Sequence, residues 1–380
     1  TVISGSDTTG SNTFTNRNVV AGDRLAISSR SEGLPGATQA KWGVVVVDSF
    51  LTPPPVPTPL PSPSPFPTPT AGPTIRYACT KVTNTNDSGA GSLRACLESP
   101  NSNLCVFETS GRILLARDIR VSANKILACQ TAPASGAMIT NGGLFIQGSN
   151  VRVEHCEIRP GDEEVGTNFD QRRALTVYAQ SGGNIVENVL LKNNSISWAI
   201  DQQISTGQGS GGSITRNVTF YQNFISEGLW RSYHSGGSHS GNALIGSTTG
   251  ATFLIKNLFA NSRDRSPLMK AGSVVEMINN YIYNYGPTQN SNLPRLEFNA
   301  SLPSRLDFIG NWCVNGPRSS GNPFCLYNQP VHPSTLAYMF DNRGRTRTSD
   351  IQPETDIAFN SSAGISEIRV VNRTTSGILD

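Results

Sequence analysis

The run Phe253-Leu-Ile-Lys-Asn-Leu-Phe259 contains the step that decides the fold, an asparagine inside a short run of apolar residues. The same step returns along the chain at irregular intervals of roughly 23 to 39 residues, within the range of repeat proteins. Its copies are Asn194-Ser-Ile, Asn223-Phe-Ile, Asn257-Leu-Phe, Asn280-Tyr-Ile and Asn311-Trp-Cys, and His155 takes the same place in Val153-Glu-His-Cys-Glu-Ile158. One unit alone has too little apolar surface to fold, so we expect stacked units that share one core.

This pattern predicts an all-β fold, a right-handed parallel β-helix in which every coil contributes short strands with inward apolar residues. Asparagine amides at a turn can hydrogen-bond from coil to coil. The unequal intervals then become loops of different length on one side. A β-sandwich of hairpins is the alternative, but the runs are seldom separated by the two-residue Asn-Gly or Asp-Gly turns of hairpins.

Composition shifts divide the chain into three parts. Residues 1–50 contain β-rich runs and are interpreted as the end of a truncated module. Residues 51–73 are a linker in which about every second residue is proline, typical of a stiff polyproline II spacer. Residues 74–380 form the β-helix domain. The sequence begins at Thr1 without methionine, so we expect a processed chain or a piece of a longer one.

The charge balance is mild, with 15% charged residues and a net charge of +3, which does not favour a nucleic-acid partner. No run of about 18 apolar residues is present, so we expect no membrane partner. The seven cysteines include no CxxC metal pair. We expect a secreted protein with up to three disulfides, because Cys96/Cys105 and Cys313/Cys325 bracket short loops and Cys129 and Cys156 lie about one coil apart. Scattered buried thiols are the alternative.

The stretch Asn261-Ser-Arg-Asp-Arg-Ser-Pro-Leu-Met-Lys270 is the richest in candidate site residues. Pro267 disfavours a helix here, so the stretch is interpreted as a rigid strand end. Arg265 and Lys270 can then lie on one side of an extended chain, which suggests an acidic ligand. A surface loop with solvated charges is the alternative.

With these residues in view, residues 80–380 resemble the pectate lyases of polysaccharide lyase family one. The resemblance rests on nine pieces in the same order: Val82-Thr-Asn-Thr-Asn-Asp-Ser-Gly-Ala-Gly-Ser-Leu-Arg94 with Val106-Phe-Glu-Thr-Ser-Gly-Arg-Ile113, Cys129-Gln-Thr-Ala-Pro133, Ile158-Arg-Pro-Gly-Asp162, Ser197-Trp-Ala-Ile-Asp201, Ile225-Ser-Glu-Gly-Leu229, Ser232-Tyr-His-Ser-Gly-Gly-Ser-His239, Leu244-Ile-Gly246, Asn261-Ser-Arg-Asp-Arg-Ser-Pro267 and Ile278-Asn-Asn-Tyr-Ile-Tyr-Asn-Tyr-Gly286. It implies calcium-assisted β-elimination on pectate or a related acidic polysaccharide, carried out by a monomer.

The same resemblance implies roles for individual residues. Arg265 matches the position of the base, although a guanidinium ordinarily keeps its proton. Lys270 falls where the family often has a second arginine and would grip a neighbouring carboxylate, and Arg263 is a weaker candidate for that role. Asp201 matches a position near the calcium ion, and we name Glu227 and Asp162 as further candidate ligands. Structural acids paired with arginines are the alternative reading of Asp201 and Glu227, and a solvated acidic turn that of Asp162.

Two departures from the family pattern are visible. Arg173 stands where an aspartate is common, which puts the calcium cage in doubt, and Gly236 and Gly241 stand in the loop where a lysine is common. His234 and His239 are candidates to compensate as donors to the substrate. Trp230 offers a face for sugar stacking, although packing under its own loop is the alternative.

Two rival functions remain at the level of the sequence. A non-catalytic carbohydrate-binding or adhesive β-helix would keep the scaffold and lack activity. A hydrolase on the same scaffold would need clustered carboxylates as acid and base, which the Arg265 region does not supply.

Overall fold

The structure is a computed structural model that describes residues 78–344 apart from 165, 167–168, 247, 286–293, 298–301, 320–324, 329–331 and 333. These residues belong to one unit, Ile75–Asp380. The predictions for residues 1–50 and 51–73 fall outside the described residues. In the part that is described, no helix has the length and apolar character needed to cross a membrane.

Most of the described elements are strands, and they form three parallel sheets. Sheet 1 contains β1 (Cys79–Val82), β2 (Leu104–Phe107), β5 (Lys125–Ala128), β8 (Val151–Glu154), β11 (Ile185–Lys192), β14 (Ile214–Tyr221), β17 (Thr252–Ile255), β20 (Val274–Ile278), β23 (Arg305–Ile309) and β26 (Leu336–Phe340). Sheet 2 contains β4 (Ile119–Val121), β7 (Leu144–Ile146), β10 (Leu175–Ala179), β13 (Gln202–Gln208), β16 (Gly241–Ile245), β19 (Leu268–Met269), β22 (Arg295–Leu296) and β25 (Tyr327–Asn328). Sheet 3 contains β3 (Gly111–Leu114), β6 (Ala137–Thr140), β9 (Glu157–Arg159), β12 (Ser195–Ser197), β15 (Phe224–Ser226), β18 (Leu258–Ala260), β21 (Tyr281–Tyr283) and β24 (Trp312–Val314).

From β2 onward the chain visits the sheets in a fixed cycle, from sheet 1 to sheet 3, then to sheet 2 and back to sheet 1. Each strand inside a sheet pairs in parallel with its equivalents in the coils before and after it, as β14 pairs with β11 and β17. This cycle is the parallel β-helix that the repeat predicts, and the fold class is confirmed.

The interior of the coil is apolar because alternate residues of every strand point inward. In β14, Val218 and Phe220 are fully buried, and Leu254 and Met277 are buried in the next two strands of sheet 1. At one end lies α1 (Leu93–Glu98), a six-residue helix that begins where the Ser92 hydroxyl accepts a hydrogen bond from the backbone N–H of Ala95. Short 3₁₀ turns at Cys129–Thr131 and Phe169–Gln171 complete the described elements.

Asparagine side chains stack at the turn between sheet 1 and sheet 3. The Asn194 amide donates to Asn223 at 3.0 Å, Asn223 donates to Asn257 at 3.0 Å, and Asn257 donates to Asn280 at 3.1 Å. The row continues through two further residues, Asn311 and Asn342. A residue with a positive φ precedes every member and makes the bend, and all six amides are buried. The predicted asparagine stack is therefore confirmed, and Asn342 extends it by one coil.

One detail of the predicted repeat is wrong. His155 has a φ of 57° and lies level with Asn193, whose side-chain nitrogen is 3.2 Å from the imidazole Nε2. Cys156 occupies the asparagine place instead, since its backbone N–H donates to the Asn194 side chain at 2.9 Å. The bend needs two residues, and the sequence motif alone does not say which of them the histidine occupies.

Three disulfides join the cysteines that the sequence paired by proximity. Cys96 is bonded to Cys105, Cys129 to Cys156 and Cys313 to Cys325. The remaining cysteine, Cys79, is exposed. The expectation of up to three disulfides is confirmed.

Candidate functional site

The charged residues gather where the chain passes from sheet 3 to sheet 2. Residues at the start of five successive sheet 2 strands meet here: Arg173 before β10, Asp201 before β13, His239 before β16, Arg265 before β19 and Arg295 in β22. Equivalent positions in adjacent coils lie about 4.8 Å apart, so these side chains become neighbours although the chain separates them widely.

Asp201 is the centre of the group and is 4% exposed. Its Oδ2 accepts a hydrogen bond from Nε of Arg173 at 2.6 Å. Its Oδ1 lies 3.0 Å from Nε2 of His239 and 3.6 Å from Nη1 of Arg265. The side-chain amide of Gln202 also donates to Oδ1. Both carboxylate oxygens therefore already have donors.

The pKa of Asp201 reflects these partners. Burial raises the pKa of this carboxyl, but the hydrogen bond from His239 and the charge and hydrogen bond of Arg173 outweigh burial, so the pKa is lower than usual. Asp201 is a carboxylate at neutral pH and holds the surrounding donors in place.

His234 and His239 stack face to face beside Asp201, with ring centroids 4.0 Å apart. The backbone N–H of Gly236 donates to Nδ1 of His234 at 2.9 Å, so the neutral ring carries its proton on Nε2. That nitrogen is 3.8 Å from Oδ1 of Asp201. Burial lowers the pKa of His234, and the neighbouring His239 lowers it further. His239 therefore donates to the Asp201 carboxylate, and His234 stacks on His239 beyond hydrogen-bond distance of that carboxylate.

The side chain of Arg265 lies close to the backbone of Gly241. The φ of Arg265 is 53°, and its backbone N–H donates to the Asp264 carboxylate at 2.7 Å. The side chain passes over Gly241, where a Cβ would lie 2.8 Å from Cβ of Arg265 and 2.9 Å from its Cδ. The absence of a side chain at Gly241 therefore makes room for this arginine.

The guanidinium of Arg265 is 18% exposed and turned toward two carboxylates. Its Nε lies 3.7 Å from Oδ2 of Asp264, too far for a hydrogen bond, and is buried without a hydrogen-bond partner among the described residues. Asp264 also faces Arg295 at 3.4 Å. In this group three guanidiniums contact two carboxylates, so the site favours an anion.

The other predicted substrate-binding residues lie elsewhere in the same region. The Arg263 guanidinium stacks on the Trp230 ring at 3.8 Å, which is close cation–π contact. Lys270 faces Glu297 at 3.6 Å and is 44% exposed. These contacts leave the substrate roles of Arg263, Trp230 and Lys270 as predictions.

Two of the three predicted metal ligands have other neighbours. Glu227 accepts a hydrogen bond from the indole of Trp198 at 3.0 Å, and the Asp162 charge acts on Arg172. Among the residues described in 78–344, the one group of three or more potential metal ligands is Asp201, His234 and His239, whose ligand atoms lie within 4.8 Å of one another.

This donor set does not fit calcium, which takes six to eight oxygen ligands and little nitrogen. The group offers a single carboxylate, and the Arg173 guanidinium already holds one of its oxygens at 2.6 Å. A softer ion that prefers imidazole also fits poorly. A metal-ligating histidine donates its other N–H outward, whereas Nδ1 of His234 accepts a hydrogen bond.

The sequence named Asp201, His234, His239 and Arg265, and the structure brings them together. The sequence analysis noted Arg173 only as a departure from the family pattern, and it did not assign roles to Asp264 or Arg295. The signal for Arg173 was its position two residues before the start of β10, one coil before Asp201.

Comparison with known proteins finds relatives named pectate lyase. The chain is 30% identical over 253 residues to a probable pectate lyase C of Aspergillus terreus, covering 66% of this chain and 53% of that protein. It is 29% identical over 274 residues to a probable pectate lyase C of Aspergillus flavus, covering 71% and 58%. The chain thus spans about half the length of the curated relatives it matches. No family model matches the chain.

The fold has a solved counterpart. The crystal structure of jun a 1, the major allergen from cedar pollen, superposes with a TM-score of 0.51 and 18% identity, covering 78% of this chain and 82% of that one. This likeness concerns the fold alone. The named relatives confirm the resemblance stated from the sequence, and the chain is similar to pectate lyases over 66% to 71% of its length.

Proposed function

We propose that the chain is a polysaccharide lyase that cleaves pectate or a related polyuronate by β-elimination. The observation that carries the proposal is the convergence of Arg265 and Arg173 on Asp201, in a group where cations outnumber carboxylates. Such a group attracts the carboxylate of a uronate and stabilises negative charge that develops on it. The relatives named probable pectate lyase support the same reaction.

In this reaction a base removes the proton α to the sugar carboxylate. The electron pair left on the α-carbon forms a double bond to the neighbouring carbon, whose bond to the leaving oxygen breaks, and that oxygen then takes up a proton. Arg265 holds the family position assigned to the base. Because a guanidinium ordinarily keeps its proton, its best-supported contribution is electrostatic stabilisation of the carbanion.

The test is the ultraviolet absorbance of unsaturated uronates formed from polygalacturonate. Wild type is expected to produce a steady rise, and Arg265→Ala to lower the rate by about 100- to 1000-fold, the usual effect of removing one such charge. Arg152→Ala is a matched control, because Arg152 lies on the outer side of sheet 1 and pairs with Glu154.

The possible results separate the rival functions. Absence of any rise on polyuronates of different esterification would favour a non-catalytic carbohydrate-binding protein. An undiminished rate in Arg265→Ala would remove this residue from the reaction.

Three disulfides are typical of oxidising compartments, which supports secretion of the enzyme.

A further inference from the structure

The position of Arg173 bears on how the site neutralises a substrate carboxylate. Arg173 lies two residues before β10, and its Nε donates a hydrogen bond to the buried Asp201 at 2.6 Å. A calcium ion at Asp201 would have to displace this guanidinium, and the two histidines supply nitrogen in place of the oxygen that calcium takes. The family's ion and this chain's residues therefore disagree.

The guanidinium of Arg173 still has donors to offer. Its hydrogen bond to Asp201 uses Nε alone, and no described residue accepts a hydrogen bond from Nη1 or Nη2. The side chain is 39% exposed, against 5% for Asp201. The two terminal nitrogens of a guanidinium match the two oxygens of a carboxylate. Arg173 is thus anchored at one edge and open to a ligand at the other.

Arg265 offers a second cation to the same ligand. Its Nη1 is 3.6 Å from Oδ1 of Asp201, on the other oxygen from Arg173. Its Nε is buried without a hydrogen-bond partner among the described residues, a cost that a bound anion could relieve. One buried carboxylate therefore positions two guanidiniums for one acidic group.

We propose that Arg173 and Arg265, both positioned by Asp201, bind a uronate carboxylate without a divalent cation, so that Arg173 takes the place of the metal ion. The inference rests on the proposed function for the identity of the ligand. Arg173 touches the substrate in this arrangement, and Asp201 is a positioning residue.

The test measures binding in place of turnover. Trigalacturonate is titrated into the chain by calorimetry, once with a chelator and once with calcium chloride. Wild type is expected to bind equally in both. Arg173→Gln is expected to bind about 10- to 100-fold more weakly in both, the usual effect of losing one charge-assisted bidentate pair. Arg173→Lys keeps the positive charge but lacks the two-pronged guanidinium, so its affinity for trigalacturonate should lie between those of wild type and Arg173→Gln.

Two controls keep the result interpretable. Arg216→Gln removes a guanidinium that pairs with Glu187 on sheet 1, away from the site, and should bind as wild type does. Thermal unfolding verifies that each variant is folded. It also tests metal binding directly, because calcium chloride should leave the melting temperature of the chelator-treated wild type unchanged.

The outcomes distinguish this inference from the proposed function. Four results would each overturn the inference about Arg173. They are trigalacturonate binding that needs calcium, a calcium-induced rise in melting temperature, unchanged binding by Arg173→Gln, and no binding under either condition. Metal-free binding through Arg173 without any unsaturated product would leave the inference standing and refute the lyase. Unsaturated product that forms only with added calcium would refute the inference and leave the proposed lyase function standing.

Discussion

Replacing Gly241 by alanine is expected to disable the site by moving Arg265. The new Cβ would lie 2.8 Å from Cβ of Arg265, 2.9 Å from Cδ and 3.2 Å from Cγ. Ordinary contact begins at 3.4 Å, so the arginine must move by at least about 0.6 Å. Misplacement of a reacting group by about 1 Å can cost 100-fold in rate. We therefore expect a 10- to 100-fold lower kcat in the ultraviolet assay.

The fold should survive the same substitution. Inserting one methyl group into a well-packed region costs about 1–3 kcal/mol. Unfolding entropy of about 2.1 cal/mol/K per residue over some 270 residues converts this into a fall in Tm of about 2–5 °C. A large loss of activity with a small loss of Tm is the expected signature of a displaced arginine.

Arg265→Gly provides a matched background for this experiment. The φ of residue 265 is 53°, which glycine adopts without strain, and the substitution removes all three atoms that crowd position 241. In that background Gly241→Ala should change neither Tm nor the residual rate, so the two substitutions should be strongly non-additive. Equal effects of Gly241→Ala in both backgrounds, or an undiminished kcat in the single variant, would refute the reasoning.

Three further predictions concern stability. Asn257→Ala removes the oxygen that accepts hydrogen bonds from the backbone N–H and the side-chain amide of Asn223. The unfolding free energy should therefore fall by about 2–4 kcal/mol and Tm by about 3–7 °C. In the same melting experiment the control Asn217→Gly, on the exposed side, should cost under about 1 kcal/mol. The lowered pKa of Asp201 stabilises the fold above the usual aspartate pKa of 3.8, so the advantage of wild type over Asp201→Asn in Tm should shrink as the pH falls below that value. Removing the Cys129–Cys156 disulfide, which closes 27 residues, by a double serine substitution should cost about 3.5 kcal/mol in denaturant unfolding.

The fold could be predicted from the sequence because its signal is local. An asparagine after a bend, with apolar residues on either side, is visible within a few residues, as at Lys256 and Asn257. The exchange of His155 for Cys156 in the repeat shows the limit of this signal. Both residues belong to the bend, and hydrogen bonds from the next coil decide which of them sits level with Asn194.

The site could be predicted only in part, because its contacts join different coils. Asp201 and Arg265 were found because each lies in a stretch of sequence that resembles the pectate lyases. The partnership of Arg173 with Asp201 spans 28 residues, and its geometry depends on the β10–β13 register. Similarly, Gly241 lacks a side chain that would signal a role, and its importance comes from the arginine that passes over it.

The order of charges along the coils explains why a single substitution matters at this site. Arg173 lies before β10, Asp201 before β13 and Arg265 before β19, and the Asp201 carboxylate contacts the two guanidiniums through different oxygens. An aspartate at 173 would put two carboxylates in adjacent coils, a pair that repels unless a cation separates them. An arginine at 173 supplies that positive charge from the chain itself. Residue 173 therefore sets part of the charge balance at Asp201. The hydrogen bond from His239 and the pairing with Arg173 together lower the pKa of Asp201 against the effect of burial.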